Sequence, residues 1–237
     1  MPTTYSGDSM IISHKHRFIF FSNPKTGSES VRLMLEKFNE ESIVPYRACT
    51  CATPFYPHMS PQEAKAVFMR RGWNFGSYRR VTCVRNPYAR LVSLYQMIHR
   101  VDRLCRVLRR LRVPRRSFSR WLTQTRPDGR GGGGFRHQRW RKFGTWSIRS
   151  WAYDANDAAL VTDILPLETL ALDLPGLLEE LKLPKVGTLP HANIGATADY
   201  QSCYTPRTRN LVAKRYGWDI RHFSYCFDSK GSQTRPG

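Results

Sequence analysis

The chain has 237 residues, of which 41% are hydrophobic and 12% aromatic, and a formal net charge of +20. That length and apolar content fit one α/β domain with its own core and exclude global disorder. No run approaches the roughly 18 to 20 apolar residues that a membrane-spanning helix needs, and Met1 to Ser13 carries neither a basic n-region nor a hydrophobic h-region, so the sequence reads as soluble and cytoplasmic.

Arg17 to Ser22 contains the unbroken apolar run Phe18-Ile19-Phe20-Phe21, the pattern of a parallel strand buried on both faces. A loop, Pro24-Lys25-Thr26-Gly27-Ser28-Glu29-Ser30, leads from it into a helix whose Val31, Met34, Leu35 and Phe38 share one face. A loop between a buried strand and a helix sets several backbone N–H groups at the positive end of the helix dipole, which makes an anion cradle. Gly27 permits the tight turn, Thr26, Ser28 and Ser30 supply hydroxyls, and Lys25 adds a point charge. The kinase pattern G-x-x-x-x-G-K-[ST] is absent, because Lys25 precedes the loop's only glycine. Acids to hold Mg²⁺ are also sparse nearby.

Pro61 to Arg71 is expected to be helical, preceded by the loop Pro57-His58-Met59-Ser60, and Arg80 to Val84 to form a second strand. The motif Val84-Arg85-Asn86-Pro87-Tyr88 follows, with Asn86 as N-cap and Pro87 as the first residue of a helix bearing Leu91, Val92, Tyr95 and Ile98 on one side. Arg85 at the strand end can grip a phosphate bidentately, and Ser93, eight residues on, can add a hydroxyl. Ala159 to Leu165 reads as a third strand. Leu167 to Leu183 reads as helix with a break at Pro175, and Thr205-Pro206 caps a last helix to about Tyr216. Strand and helix alternation gives an α/β fold with a parallel sheet flanked by helices. The expected organisation is a single domain over 1–237, with a frayed tail at 228–237.

From Arg100 to Arg149 there are sixteen Lys or Arg against Asp102 and Asp128, which is +14 of the +20. This block, about 100–149, is read as an Arg-rich insertion. Arg103 to Arg116 fits an amphipathic helix ended by Pro114, and Arg126 to Gly134 a turn and glycine hinge. Such a block is either a solvated surface or a face for polyanions. Of the six cysteines, Cys83 falls in a buried strand and reads as a small apolar filler. Cys49, Cys51 and His58 lack a second ligand pair at zinc-site spacing, so no metal is assigned.

The two loop motifs together, in this order, resemble the phosphate-reading elements of sulfotransferases that use 3′-phosphoadenosine 5′-phosphosulfate (PAPS), in the carbohydrate branch that includes the heparan-sulfate 2-O-sulfotransferases. The resemblance covers roughly residues 14 to 227, with gaps at the basic block. Leu189 to Asn193, Glu168 with Leu170, and the stretch from Tyr204 to Tyr225 are weaker matches to the same family. Its fold is P-loop nucleotide-kinase-like, and its transfer needs no metal. The resemblance implies that Lys25, Thr26, Gly27, Ser28, Glu29 and Ser30 receive the 5′-phosphosulfate and that Arg85 and Ser93 hold the 3′-phosphate. Two departures are Glu29, where the family has Thr, and Ala89, where it has Asp. Glu29 is expected to turn outward from the phosphate, as an acid in a first helical turn complements the dipole.

A transferase onto a hydroxyl also needs a base. His58 lies between the motifs, as does the base of related glycan enzymes, and is expected to act with Lys25 as the catalytic pair. The other reading of His58 is a loop residue before Pro61, with Glu63, His99 and His191 as lesser candidates. The implied activity is transfer of a sulfuryl group from PAPS to a hydroxyl of a carbohydrate, polyanionic carbohydrates included, releasing 3′,5′-adenosine bisphosphate (PAP). The resemblance leaves open a lumenal Golgi-type domain lacking its anchor. The competing reading is a non-catalytic binder of polyanions or nucleic acid, with Trp121, Phe135, Trp140 and Trp146 interleaved among the arginines for stacking.

Overall fold

The computed structural model describes residues 10–101, 117–127, 144–184 and 200–228. Four strands form one sheet: β1 (Ile11–Ser13), β2 (Phe18–Phe21), β3 (Arg79–Val84) and β4 (Asp163–Pro166), in spatial order β1-β2-β3-β4. The two pairings β2–β3 and β3–β4 are parallel, with Phe21 opposite Thr82 and Val84 opposite Pro166. The fold is α/β, as the alternating pattern implied.

The run Phe18-Ile19-Phe20-Phe21 is fully buried, and strand alternation sends its side chains to opposite faces. Phe18 and Phe20 join Val31, Leu35, Leu170, Leu174 and Leu177 on one face, against α1 (Ser28–Leu35) and a later helix, α6 (Leu170–Glu180). Ile19 and Phe21 join Val67, Phe68, Ile148 and Trp151 on the other, against α2 (Pro61–Arg70) and α5 (Ile148–Ala152). A third cluster unites α3 (Pro87–Val101), α4 (Phe118–Gln124) and α7 (Pro206–Arg215) through Leu91, Leu94, Trp121, Leu122 and Val212. Cys83 is fully buried within this sheet, and burial pushes its thiol pKa up to about 12.

Four expectations change. The sheet is not wholly parallel, because β1 pairs antiparallel with β2; three residues are too few for period-2 patterning to reveal. The third strand starts at Asp163 and not Ala159, since Leu160 N–H donates to the Ala152 carbonyl at 2.7 Å and Ala159 bridges Tyr153. Pro175 does not break α6. It lies with Ala171 on the exposed side of that helix. Trp121 is not displayed for stacking: it is 3% exposed, packed with Phe118 and Tyr95. Phe135, Trp140, the Arg103 to Arg116 segment and Gly131 to Gly134 lie outside the described residues. No helix among the described residues is long and apolar enough to cross a membrane.

Candidate active site

Because β2 and β3 are adjacent and parallel, the loops that follow them leave the same edge of the sheet. In open α/β sheets this carboxyl edge is where ligands bind. The first loop, 23–27, ends at Gly27, which has φ +77° and serves as N-cap of α1. A Cβ on Gly27 would stand 2.3 Å from Leu167 Cδ1, so both the backbone conformation and the close approach require glycine.

The carbonyls of this loop's root are all engaged by side chains. The Ser22 carbonyl accepts from His58 Nδ1 at 2.7 Å. The Asn23 carbonyl accepts from Thr26 Oγ1 at 2.7 Å and from Ser28 Oγ at 3.1 Å. The Pro24 carbonyl accepts from Arg90 Nε at 3.2 Å. With three successive carbonyl dipoles tied to donors, the loop's negative ends are neutralised, and the helix N-terminus beyond contributes positive potential. Thr26 and Ser28 thereby shape the loop, both fully or almost fully buried, while Ser30 N–H closes back on the Gly27 carbonyl at 3.2 Å. Lys25 and Glu29 are half-buried, Glu29 in the first turn of α1.

Lys25 and His58 both have left-handed backbones, with φ +63° and +57°, a conformation that costs a non-glycine residue on the order of 1–2 kcal/mol. His58 is 5% exposed. Donation from Nδ1 to a carbonyl fixes the tautomer of the neutral ring and puts the lone pair on Nε2. The alternative carboxylate, Glu63, is committed to capping: its Oε2 accepts from Ser60 N–H at 3.1 Å, Ser60 Oγ at 2.8 Å and Tyr56 Oη at 2.6 Å. His191 and the side chain of His99 lie outside the described residues.

The second loop is capped as its sequence indicated. Asn86 Oδ1 accepts from Tyr88 N–H at 3.1 Å, and Asn86 Nδ2 donates to the Cys226 carbonyl at 2.9 Å. Arg85 is half-buried at the end of β3, and burial lowers its pKa while the charge of Glu168 opposes the shift. Ser93 is half-buried on α3.

Arg90 joins the two motifs, a role its position inside an apolar helix face did not announce. It is 3% exposed, and its Nη2 donates to Asn23 Oδ1 at 2.9 Å and its Nη1 to the Trp146 carbonyl at 2.8 Å. Asn23 Nδ2 in turn donates to the Cys83 carbonyl of β3 at 3.3 Å. Asp219, 1% exposed, accepts from Ile148 N–H at 2.8 Å and so caps α5. Burial raises its pKa to about 6. Arg90, in the second motif, and Asp219, in the C-terminal stretch, fall within the family resemblance, but their partners across the fold are not marked in sequence. Among the described residues no group of three or more His, Cys, Asp or Glu is arranged to hold a metal ion.

A sulfotransferase family model matches residues 8–226. No curated protein and no solved structure matches the chain.

Proposed function

Because the chain belongs to the sulfotransferase family, we propose that it moves a sulfuryl group from PAPS to a hydroxyl of a carbohydrate, of the kind acted on by the heparan-sulfate 2-O branch. The observation that carries this reading is the masking of the Ser22, Asn23 and Pro24 carbonyls by His58, Thr26, Ser28 and Arg90. It converts the turn into α1 into a site for an anion and attaches the candidate base to the same backbone.

PAPS brings a sulfuryl group already joined to a good leaving group, the 5′-phosphate. Lys25 and the α1 N-terminus stabilise the negative charge that grows on that phosphate. His58 Nε2 takes the acceptor hydroxyl's proton as the acceptor oxygen forms its bond to sulfur and the bond from sulfur to phosphate oxygen breaks. Arg85 and Ser93 hold the 3′-phosphate, which separates this donor from ATP. A cleft lined by Tyr88, Gln201, Tyr204, Arg209 and Phe227 opens beside the second motif and offers aromatic and cationic surface to a sugar acceptor.

Thermal stabilisation by PAP, AMP and ATP in EDTA tests the donor site. A ligand at a hundredfold excess over Kd adds about 2.7 kcal/mol to stability. Selective stabilisation by PAP that Arg85→Ala abolishes is expected; an equal response to all three nucleotides overturns the assignment.

A further inference from the structure

The step that follows β4 touches both anion loops. Leu167 N–H donates to the Val84 carbonyl at 2.8 Å, extending the β3–β4 ladder by one bond, and the Leu167 side chain fills the space beside Gly27. The next residue, Glu168, turns its carboxylate to the second loop. Its Oε1 accepts from Asn86 N–H at 2.9 Å and its Oε2 from Tyr225 Oη at 3.2 Å. Tyr225 is 4% exposed, and the neighbouring Cys226 carbonyl holds the Asn86 side chain. Asn86 is thus fixed through its backbone by Glu168 and through its side chain by the segment that carries Tyr225.

The bond from Asn86 N–H fixes the peptide plane between Arg85 and Asn86, and with it the direction in which the Arg85 side chain leaves the end of β3. Glu168 also supplies an opposing charge to a guanidinium that burial penalises. A carboxylate beside a proposed phosphate site is repulsive to the ligand, and that cost stands against the hydrogen bond by which Glu168 fixes the Asn86 amide. We infer that Glu168 is a positioning residue, whose hydrogen bond to the Asn86 amide aims Arg85 at the 3′-anion and so sets the preference for a 3′,5′-bisphosphate over a 5′-monophosphate. This rests on the donor site proposed above.

The measurement is the ratio of AMP to PAP dissociation constants, by titration calorimetry, for the wild type, Glu168→Ala and Glu168→Gln. Both ligands use the first loop equally, so general weakening of the fold lowers both affinities and leaves the ratio unmoved. Glu168→Ala is expected to reduce the ratio about tenfold, and Glu168→Gln, which keeps an amide oxygen for Asn86 N–H, to stay within about threefold of wild type, a tenfold change being about 1.4 kcal/mol. An unchanged or increased ratio in Glu168→Ala, or a Gln variant as deficient as Ala, overturns the inference. Should Glu168→Ala fail to fold, Tyr225→Phe removes the hydroxyl that steadies Oε2 while keeping the ring, and an unchanged ratio there overturns it equally. A wild type with no preference for PAP sinks the donor assignment itself, which separates that failure from this one.

Discussion

The two ends of the sheet both hold a histidine among arginines and tyrosines, and they use it differently. At the amino edge His14 Nδ1 pairs with Tyr78 Oη at 2.8 Å and Nε2 with Glu41 Oε1 at 3.0 Å, while Arg71 reaches Glu41 Oε2 at 3.3 Å and Arg17 reaches Ser77 Oγ at 2.8 Å. Side chains there satisfy one another and tie the β1–β2 turn to the segment before β3. At the carboxyl edge His58, Thr26, Ser28 and Arg90 donate to three successive carbonyls of one loop, whereas at the amino edge Arg71 reaches one carbonyl, that of Ala52, at 2.6 Å. The amino-edge side chains form a clasp that runs from Arg17 through Tyr78, His14 and Glu41 to Arg71. A loop whose carbonyls are taken is left with its positive end, and it invites an anion.

That contrast is tested most severely at Lys25. Removing one group that stabilises charge in a transition state lowers kcat by about 10²–10³-fold. Lys25→Ala is expected to lose that much in single-turnover transfer from labelled PAPS. Retained turnover would remove the carboxyl-edge loop from catalysis.

Asp219 gives a pH effect confined to the carboxyl edge. Its folded pKa, about 6, is raised above the ordinary value of 3.8 by burial. Between those values the folded state binds more protons than the unfolded chain, so this group's contribution to stability falls as pH rises from 4 to 6 and is level above 6. The size is on the order of 3 kcal/mol, at about 1.4 kcal/mol per pKa unit. Denaturant unfolding of wild type and Asp219→Asn at pH 4, 5, 6 and 7 reads it. Asn keeps an acceptor for Ile148 N–H, so the variant is expected to gain on wild type across that window; a constant difference refutes the assignment.

The parts of this fold that were legible in sequence are those whose cause is local. Phe18 to Phe21 announces a strand covered on both faces by its apolar run, and Asn86-Pro87 and Thr205-Pro206 announce helix starts because capping is a matter of three or four residues. The strand-to-helix turns at 23–27 and 85–86 were legible for the same reason, since Gly27 and Asn86 each act on neighbours in the chain. Arg90, Asp219 and Glu168 were legible only through the family resemblance; their partners stand 56 to 82 positions away, and no periodicity records such a pairing. Pro175 sits inside α6 although a proline in that pattern signals a break, because the packing of Leu170, Leu174 and Leu177 against the sheet is not visible from a single residue type.

Gly27 separates backbone shape from charge at the same loop. Alanine there meets a left-handed φ, costing about 1–2 kcal/mol, and a Cβ inside contact distance of Leu167, whose side chain must move. Gly27→Ala is expected to lose about 2–3 kcal/mol and to lower Tm by about 4–12 °C, at roughly 2–4 °C per kcal/mol for a chain of this size. Gly27→Ala combined with Leu167→Ala should recover the steric part of that loss and leave the backbone part, which differential scanning calorimetry of the two variants resolves.

The smallest effect belongs to the amino edge and decides whether the comparison holds. Glu41 accepts from His14 and is paired with Arg71, with side chains 17 to 29% exposed. Partly solvated pairs of this kind contribute about 1 kcal/mol or less. Glu41→Gln keeps the shape and one acceptor, so it should lower stability by no more than about that amount. If the amino edge is a clasp alone, PAP must stabilise Glu41→Gln as much as it stabilises wild type. A loss of the PAP response in that variant would mean that the two edges are coupled through β2 and β3, and the anion site would then depend on the whole sheet and not on the loop carbonyls that line its root.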